Sequence, residues 1–178
     1  LASLSATIRS KNAELKQRES DRKRLEALLN TVEDYSASFA TSGEVRPFAS
    51  RKGKMPMPAR GKVINRFGSR RSSGGLRWQG VEIRAKEGAK VQAIHHGRVV
   101  FADWFRGQGL LIIIDHGDGY MSLYGHNQSL LRETGDWVQA GEPLATVGAS
   151  GGQSQTGLYF EIRHNGQAAN PLSWCRRT

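Results

Sequence analysis

The chain has 178 residues, 26 of them Lys or Arg against 16 Asp or Glu, for a formal net charge of +10, and this length suits one compact domain with an additional segment. No run is long or apolar enough to span a membrane, and the single cysteine, Cys175, can form no internal disulfide and lacks zinc-site spacing. The chain starts at Leu1 and reads as a fragment or mature form, so the lack of a visible signal peptide says nothing of export.

Apolar residues on a heptad seam at Leu1, Leu4, Ile8, Leu15, Leu25, Leu29, Val32 and Phe39 predict a helix over residues 1–39; the seam fails at Lys11, Arg18 and Arg22. Such a helix is the end of a coiled coil, a long helix with two apolar patches around a charged middle, or a helix packed on its own domain. Residues 41–60 read as a basic linker, with Ser42-Gly43, Pro47, Gly53, Pro56 and Pro58. Ten Lys or Arg residues and no acid fall between residues 46 and 77. A stretch of this kind suits nucleic acid, an anionic membrane or envelope polymer, or an acidic protein. It lacks the interleaved aromatics of a single-strand platform and any helix-turn-helix or finger signature. Nucleic acid is therefore not an expected partner, and a solvated surface is the simplest reading of the charge.

From residue 61 the pattern is β. Short strand candidates fall at 62–67, 81–83, 90–94, 98–102, 110–114, 121–124 and 143–147, separated by glycine-bearing turns such as His96-Gly97, the HGDG run at 116–119 and Gly141-Glu142-Pro143. They predict an antiparallel β-sandwich or partly open barrel over residues 61–178, behind a helix at 1–40 and the linker at 41–60. The stretch GASGGQSQTGLYFEIR ends in one further strand. Its alternation sends Leu158, Phe160 and Ile162 to a core and Tyr159, Glu161 and Arg163 to the opposite face. His95, His96, His116 and His164 sit in or beside turns and read as exposed.

Four phrases in order, PMPARGKVINRFGSR, GAKVQAIHHGRVVFADW, GQGLLIIIDHGDGYMSLYGH and GDWVQAGEPLATVGASG, resemble the successive hairpins of LytM-type zinc peptidases of the M23 family. The resemblance covers roughly residue 57 onward and implies the LytM fold. The family draws two zinc ligands from H-x-G-x-D, where this chain has Trp78-Gln79-Gly80-Val81-Glu82, and a third from H-x-H-F-E, whose histidines fall at Gly157 and Tyr159. Of the family's two assisting histidines, His126 keeps one and Gly157 has lost the other. An indole has no lone pair for a metal, Tyr159 is a poor neutral-pH ligand, and Glu82 is one methylene longer than Asp. No Ser or Cys nucleophile stands at a matching motif position. The resemblance thus implies no bound metal, no cofactor and no catalytic residue.

It is to the catalytically degenerate members of the family, in which such a domain follows a coiled coil, that the chain is most similar. That likeness implies a periplasmic activator of N-acetylmuramoyl-L-alanine amidases in cell division and daughter-cell separation. It also implies an inner-membrane division complex as partner through the N-terminal helix, with peptidoglycan as a further candidate. The alternatives are a peptidoglycan-binding module without an enzyme partner and a weak zinc endopeptidase. The expected docking groove comprises Trp78, Gln79, Glu82, Gln108, Leu111, Tyr124, His126, Tyr159 and Arg163. Gln108 and Leu111 belong to a rim formed by the loop at 105–109 and the next strand, and Arg163 can pair bidentately with a partner carboxylate. The helix is expected to lie across or beside this groove and lower amidase affinity. Its second apolar patch, Leu25, Leu28, Leu29 and Val32, precedes Glu33 and Asp34, acids able to approach the basic domain.

Overall fold

The computed structural model describes residues 2–36, 46–71 and 75–176. A long helix, α1 (Ala2–Ser36), precedes ten strands: β1 (Lys62–Asn65), β2 (Val81–Arg84), β3 (Lys90–Gln92), β4 (Gly97–Phe105), β5 (Gly109–Gly117), β6 (Tyr120–Leu130), β7 (Trp137–Val138), β8 (Pro143–Val147), β9 (Gly157–His164) and β10 (Gln167–Ala169). A one-turn helix, α2 (Pro171–Trp174), follows, capped by the Asn170 side chain. The main sheet runs β1-β2-β9-β6-β5-β4-β7 and is open, with β10 beside β9 and the β3–β8 pair joined through the far half of β6. Every strand pairing is antiparallel. The expected antiparallel β architecture behind an N-terminal helix is the one observed, and the strands of the central sheet run longer than their apolar cores suggested.

Period-two alternation divides the interior in two. Ile112 and Ile114 of β5, Tyr124 of β6, and Leu158, Phe160 and Ile162 of β9 belong to a large cluster on one face. Leu111 and Ile113 of β5 and Met121 and Leu123 of β6 face the other way and meet Leu25, Leu29 and Val32 of α1. Both faces of β5 are covered, which is why its apolar run, Leu110 to Ile114, is unbroken rather than alternating. Each of the three buried α1 side chains contributes roughly 1.5–3 kcal/mol through burial. The N-terminal half of the helix has no such anchor: Leu4 and Ile8 are exposed, at 61% and 51%. Leu1 and Phe39, the ends of the heptad seam, lie outside the described residues, as does the side chain of Asp34.

The proline-bearing stretch before β1 carries buried side chains of its own. Phe48, in a 3-10 turn (Phe48–Arg51), and Met55 are each 1% exposed. Met55 and Gly53 donate backbone hydrogen bonds to the Trp174 carbonyl, and Gln92 donates to the Pro58 carbonyl, tying the stretch to α2 and β3. Residues 41–45 of the expected linker lie outside the described residues.

Phe48 also corrects the reading of the turn histidines. Its ring meets His95 edge-on at 5.5 Å and stacks on His116 and Tyr120 at 4.7 Å. His95 and His116 are buried, not exposed. The His116 Nδ1–H donates to the His96 carbonyl, and Nε2 lies 2.7 Å from Ser122 Oγ, which lies 2.8 Å from the Tyr124 hydroxyl. Burial holds the His116 imidazole neutral, its pKa pushed down to about 3. A base whose folded pKa lies below its unfolded value of about 6.5 gives stability that is fully present above that value and lost as pH falls toward 3. Denaturant unfolding should therefore show a stability loss between pH 6.5 and 4, at up to about 1.4 kcal/mol per pH unit from this group, and His116→Gln should flatten that slope relative to wild type.

Candidate functional site: a cleft under the N-terminal helix

The alternation of β9 places Tyr159, Glu161 and Arg163 in a row on the α1 side of the sheet, and the row is a connected network. The Tyr159 hydroxyl donates to Glu161 Oε1 at 2.9 Å, and Arg163 Nη1 donates to Glu161 Oε2 at 3.3 Å. Arg163 Nη2 donates to the Gly166 carbonyl at 2.8 Å and to Glu26 Oε2, on α1, at 2.6 Å. Glu161 is 1% exposed and Arg163 3%. Burial raises the pKa of Glu161 and the Arg163 charge offsets part of that rise. Burial, then the charge of Glu161, raises Tyr159 well above its usual value.

Around this row stand the other predicted groove residues. Trp78 lies 6.2 Å from Tyr159 between ring centroids, with the Arg71 guanidinium 4.3 Å over its own ring. Glu82 pairs in register with Tyr159 across β2–β9 and accepts a 2.6 Å hydrogen bond from Asn65 Nδ2. His126, whose ring is 6.4 Å from Tyr159, adopts φ +64. Its Nδ1–H donates to the Ser150 carbonyl at 2.8 Å, leaving Nε2 as an acceptor, and burial lowers its pKa. Gln79 and Gln108 line a cavity with Tyr159 and Glu161, roofed by Asp21, Leu25 and Glu26 of α1. Gln108 Oε1 is buried without a hydrogen-bond partner among the described residues.

Two predicted residues stand elsewhere. Tyr124 is fully buried on the opposite face of the sheet, 5.4 Å from Phe160, because even-numbered residues of this part of β6 point into the large cluster. Leu111 faces the right side but is wholly covered in the apolar contact with α1. Conversely, Glu161, which joins Tyr159 to Arg163, was absent from the predicted groove although the alternation of β9 placed it on that face. Arg71 was hidden within a basic stretch that read as solvated surface.

The side chains present do not fit a zinc ion. Trp78 offers no lone pair and the Tyr159 phenol is raised and committed to Glu161, which leaves one carboxylate and one imidazole against the three or so protein ligands of a catalytic site. Among the described residues no group of three or more His, Cys, Asp or Glu is arranged to hold a metal. At Gly157 a side chain is sterically barred, since a Cβ there would lie 2.8 Å from the Ile83 carbonyl oxygen of β2.

An open antiparallel sheet carrying a cleft on the β2–β9–β6 strands defines a LytM-type domain. The chain belongs to peptidase family M23, whose model matches residues 76–171. It is 51% identical over 126 residues to the murein hydrolase activator EnvC of Escherichia coli strain K12, a match covering 71% of this chain and 30% of that protein. It is 39% identical over 147 residues to the murein hydrolase activator NlpD of Salmonella dublin, covering 82% and 36%. The chain thus spans about a third of the length of the curated relatives it matches. Among solved structures, a zinc-containing peptidase from Vibrio cholerae superposes with a TM-score of 0.64 at 19% identity, over 71% of this chain and 41% of that one, a likeness of fold alone.

A double-variant cycle measures the buried row. Arg163→Ala leaves Glu161 without its cation and should destabilise by about 3–5 kcal/mol in denaturant unfolding, whereas Arg163→Ala with Glu161→Gln should lose clearly less.

Proposed function

We propose that this chain is a non-catalytic activator of peptidoglycan hydrolysis, acting on periplasmic N-acetylmuramoyl-L-alanine amidases in cell division and daughter-cell separation. The observation that carries the reading is the Tyr159–Glu161–Arg163 row. It is a preorganised aromatic and charged row beneath α1, of the kind that anchors protein partners, and its side chains do not suit a catalytic zinc. Similarity to proteins named murein hydrolase activators supports the same class. The docking groove combines Trp78, Gln79, Glu82, Gln108, His126, Tyr159 and Arg163, with Glu161 as the residue that positions the last two. A periplasmic location follows from the substrate of such a hydrolase, and the helical segment is the part proposed to reach the inner-membrane division complex.

In the proposed mechanism α1 restrains the groove. Glu26 occupies the Arg163 guanidinium, and Leu25 and Asp21 lie over the cavity beside Tyr159. A docked amidase must displace them, so apparent affinity falls by the fraction of molecules in which the helix is released. Gly107 lets the helix come this close: its φ is +86, and a Cβ there would lie 3.0 Å from the Asp21 side chain.

With purified amidase and peptidoglycan sacculi, the chain alone should release no product and should accelerate the amidase. Truncating an anchor of this kind typically costs at least about 2 kcal/mol, or roughly 30-fold in affinity. Tyr159→Ala and the Arg163→Ala/Glu161→Gln pair should each show such a loss. Wild-type activation by both, with folding intact, would place the docking surface elsewhere.

Deleting residues 1–42 should tighten amidase binding about tenfold or more, measured by calorimetric titration. Equal or weaker binding by the shortened chain would leave α1 as a stem without a restraining role.

A further inference from the structure

The interface between α1 and the cleft carries a charge imbalance that the groove reading does not use. The cavity beneath the helix has a volume of about 60 Å3, several times the ~10–15 Å3 that one water requires. Five arginines line it: Arg18 and Arg22 from α1, and Arg71, Arg77 and Arg106 from the domain. Three acids line it as well, and all three are already engaged. Glu26 and Glu161 both bind Arg163, and Asp21 lies 3.6 Å from Arg106. Among the described residues, the Arg22 and Arg71 side chains have neither an ion pair nor a hydrogen bond. Arg71 is also partly withdrawn from water, its guanidinium laid over Trp78.

Like charges from the helix and the domain therefore line one cavity, although Arg18 also pairs with Glu14 at 2.6 Å. Arg18 reaches the domain itself, Nη1 donating to the Arg71 carbonyl at 3.3 Å. The Arg71 pKa is lowered, first by burial and also by the Arg18 charge, while Tyr159, Glu82 and Glu161 push the other way without reversing it. No carboxylate touches the Arg71 guanidinium directly, and a bound anion would give this partly buried cation a contacting partner. Guanidinium groups bind compact oxyanions through charge-assisted, often paired hydrogen bonds.

We propose that the cavity is a binding site for a compact oxyanion of two or more negative charges, phosphate or a small dicarboxylate, bridging Arg18 and Arg22 of α1 to Arg71 and Arg77 of the domain. Half of the site belongs to the helix, so it is complete only while the helix is docked. An anion that binds there shifts the equilibrium toward the covered cleft by its differential affinity for that state. The consequence for hydrolase activation rests on the restraint proposed above: the anion strengthens it. Chloride, with a single charge, should not bridge the two pairs and should only screen the Glu26–Arg163 contact.

The test needs no hydrolase, so its failure and the failure of the activator reading are distinguishable. Hydrogen exchange of the amides at residues 18–33 is followed in the intact chain, with sodium phosphate, sodium succinate or sodium chloride at matched ionic strength. At ten times the dissociation constant, a bridging anion should slow α1 exchange about tenfold, leaving β3 and β8 unchanged. Protection by phosphate alone, by succinate alone, or by both supports the site and identifies which oxyanions it accepts. Arg22→Gln, an exposed substitution that keeps the fold, and Arg71→Gln should each reduce the protection at least severalfold. Equal exchange in all three salts would overturn the proposal, as would protection that persists unchanged in both variants.

Discussion

Arg163 sets the terms for the rest of the molecule. A guanidinium that is 3% exposed in the middle of a sheet cannot remain without carboxylates, because an unpaired buried charge costs several kcal/mol. One carboxylate, Glu161, comes from its own strand two residues away; the other, Glu26, comes from a helix 137 positions earlier in the chain. The strand on which the cleft is built therefore has its charges completed by a separate segment. That segment is held otherwise by three apolar side chains in the small cluster they share with β5 and β6, by the Asp21–Arg106 pair and by the Arg18 hydrogen bond to the Arg71 carbonyl. Under the proposed restraint, a partner that replaces α1 would meet an Arg163 still paired with Glu161 but short of its second carboxylate.

The β architecture was legible because its signals are local. Glycine-bearing turns and short apolar runs located seven strands, and the alternation of LYFEIR sorted β9 into a core face and a cleft face correctly. Boundaries were less clear because β5 and β6 continue past their apolar centres into Asp115, His116, Asn127 and Gln128, where pairing rather than side-chain character extends the strand. The two-residue β7 and the short β10 carry too few residues for any pattern.

The site was legible in part. Trp78, Glu82 and His126 stand beside Tyr159, Gln79 and Gln108 share its cavity, and Arg163 joins it through Glu161. Tyr124 lies on the opposite face, because β6 alternates and it is Leu123 and Met121 that point to the helix. The unbroken run of β5 was the sequence signal that both faces of the sheet are covered. His95 and His116 read as exposed because turns usually are; that Phe48 would come back from an expected linker to cover them was invisible, being a contact between residues 47 and 68 positions apart in sequence. The counter-charges from α1 lay behind the same kind of separation.

The large cluster contains no residue of α1. Leu25, Leu29 and Val32 meet the far side of the sheet, so under the proposed restraint substitutions there would act on how long the helix remains down. A threshold set this way can drift in small steps. Under the proposed restraint, a smaller side chain at position 29 or 32 would alter the resting occupancy of the cleft by a modest factor and leave the proposed binding surface beneath unchanged. Evolution, or a protein engineer, could thus recalibrate the response of the domain without redesigning the surface that a partner recognises.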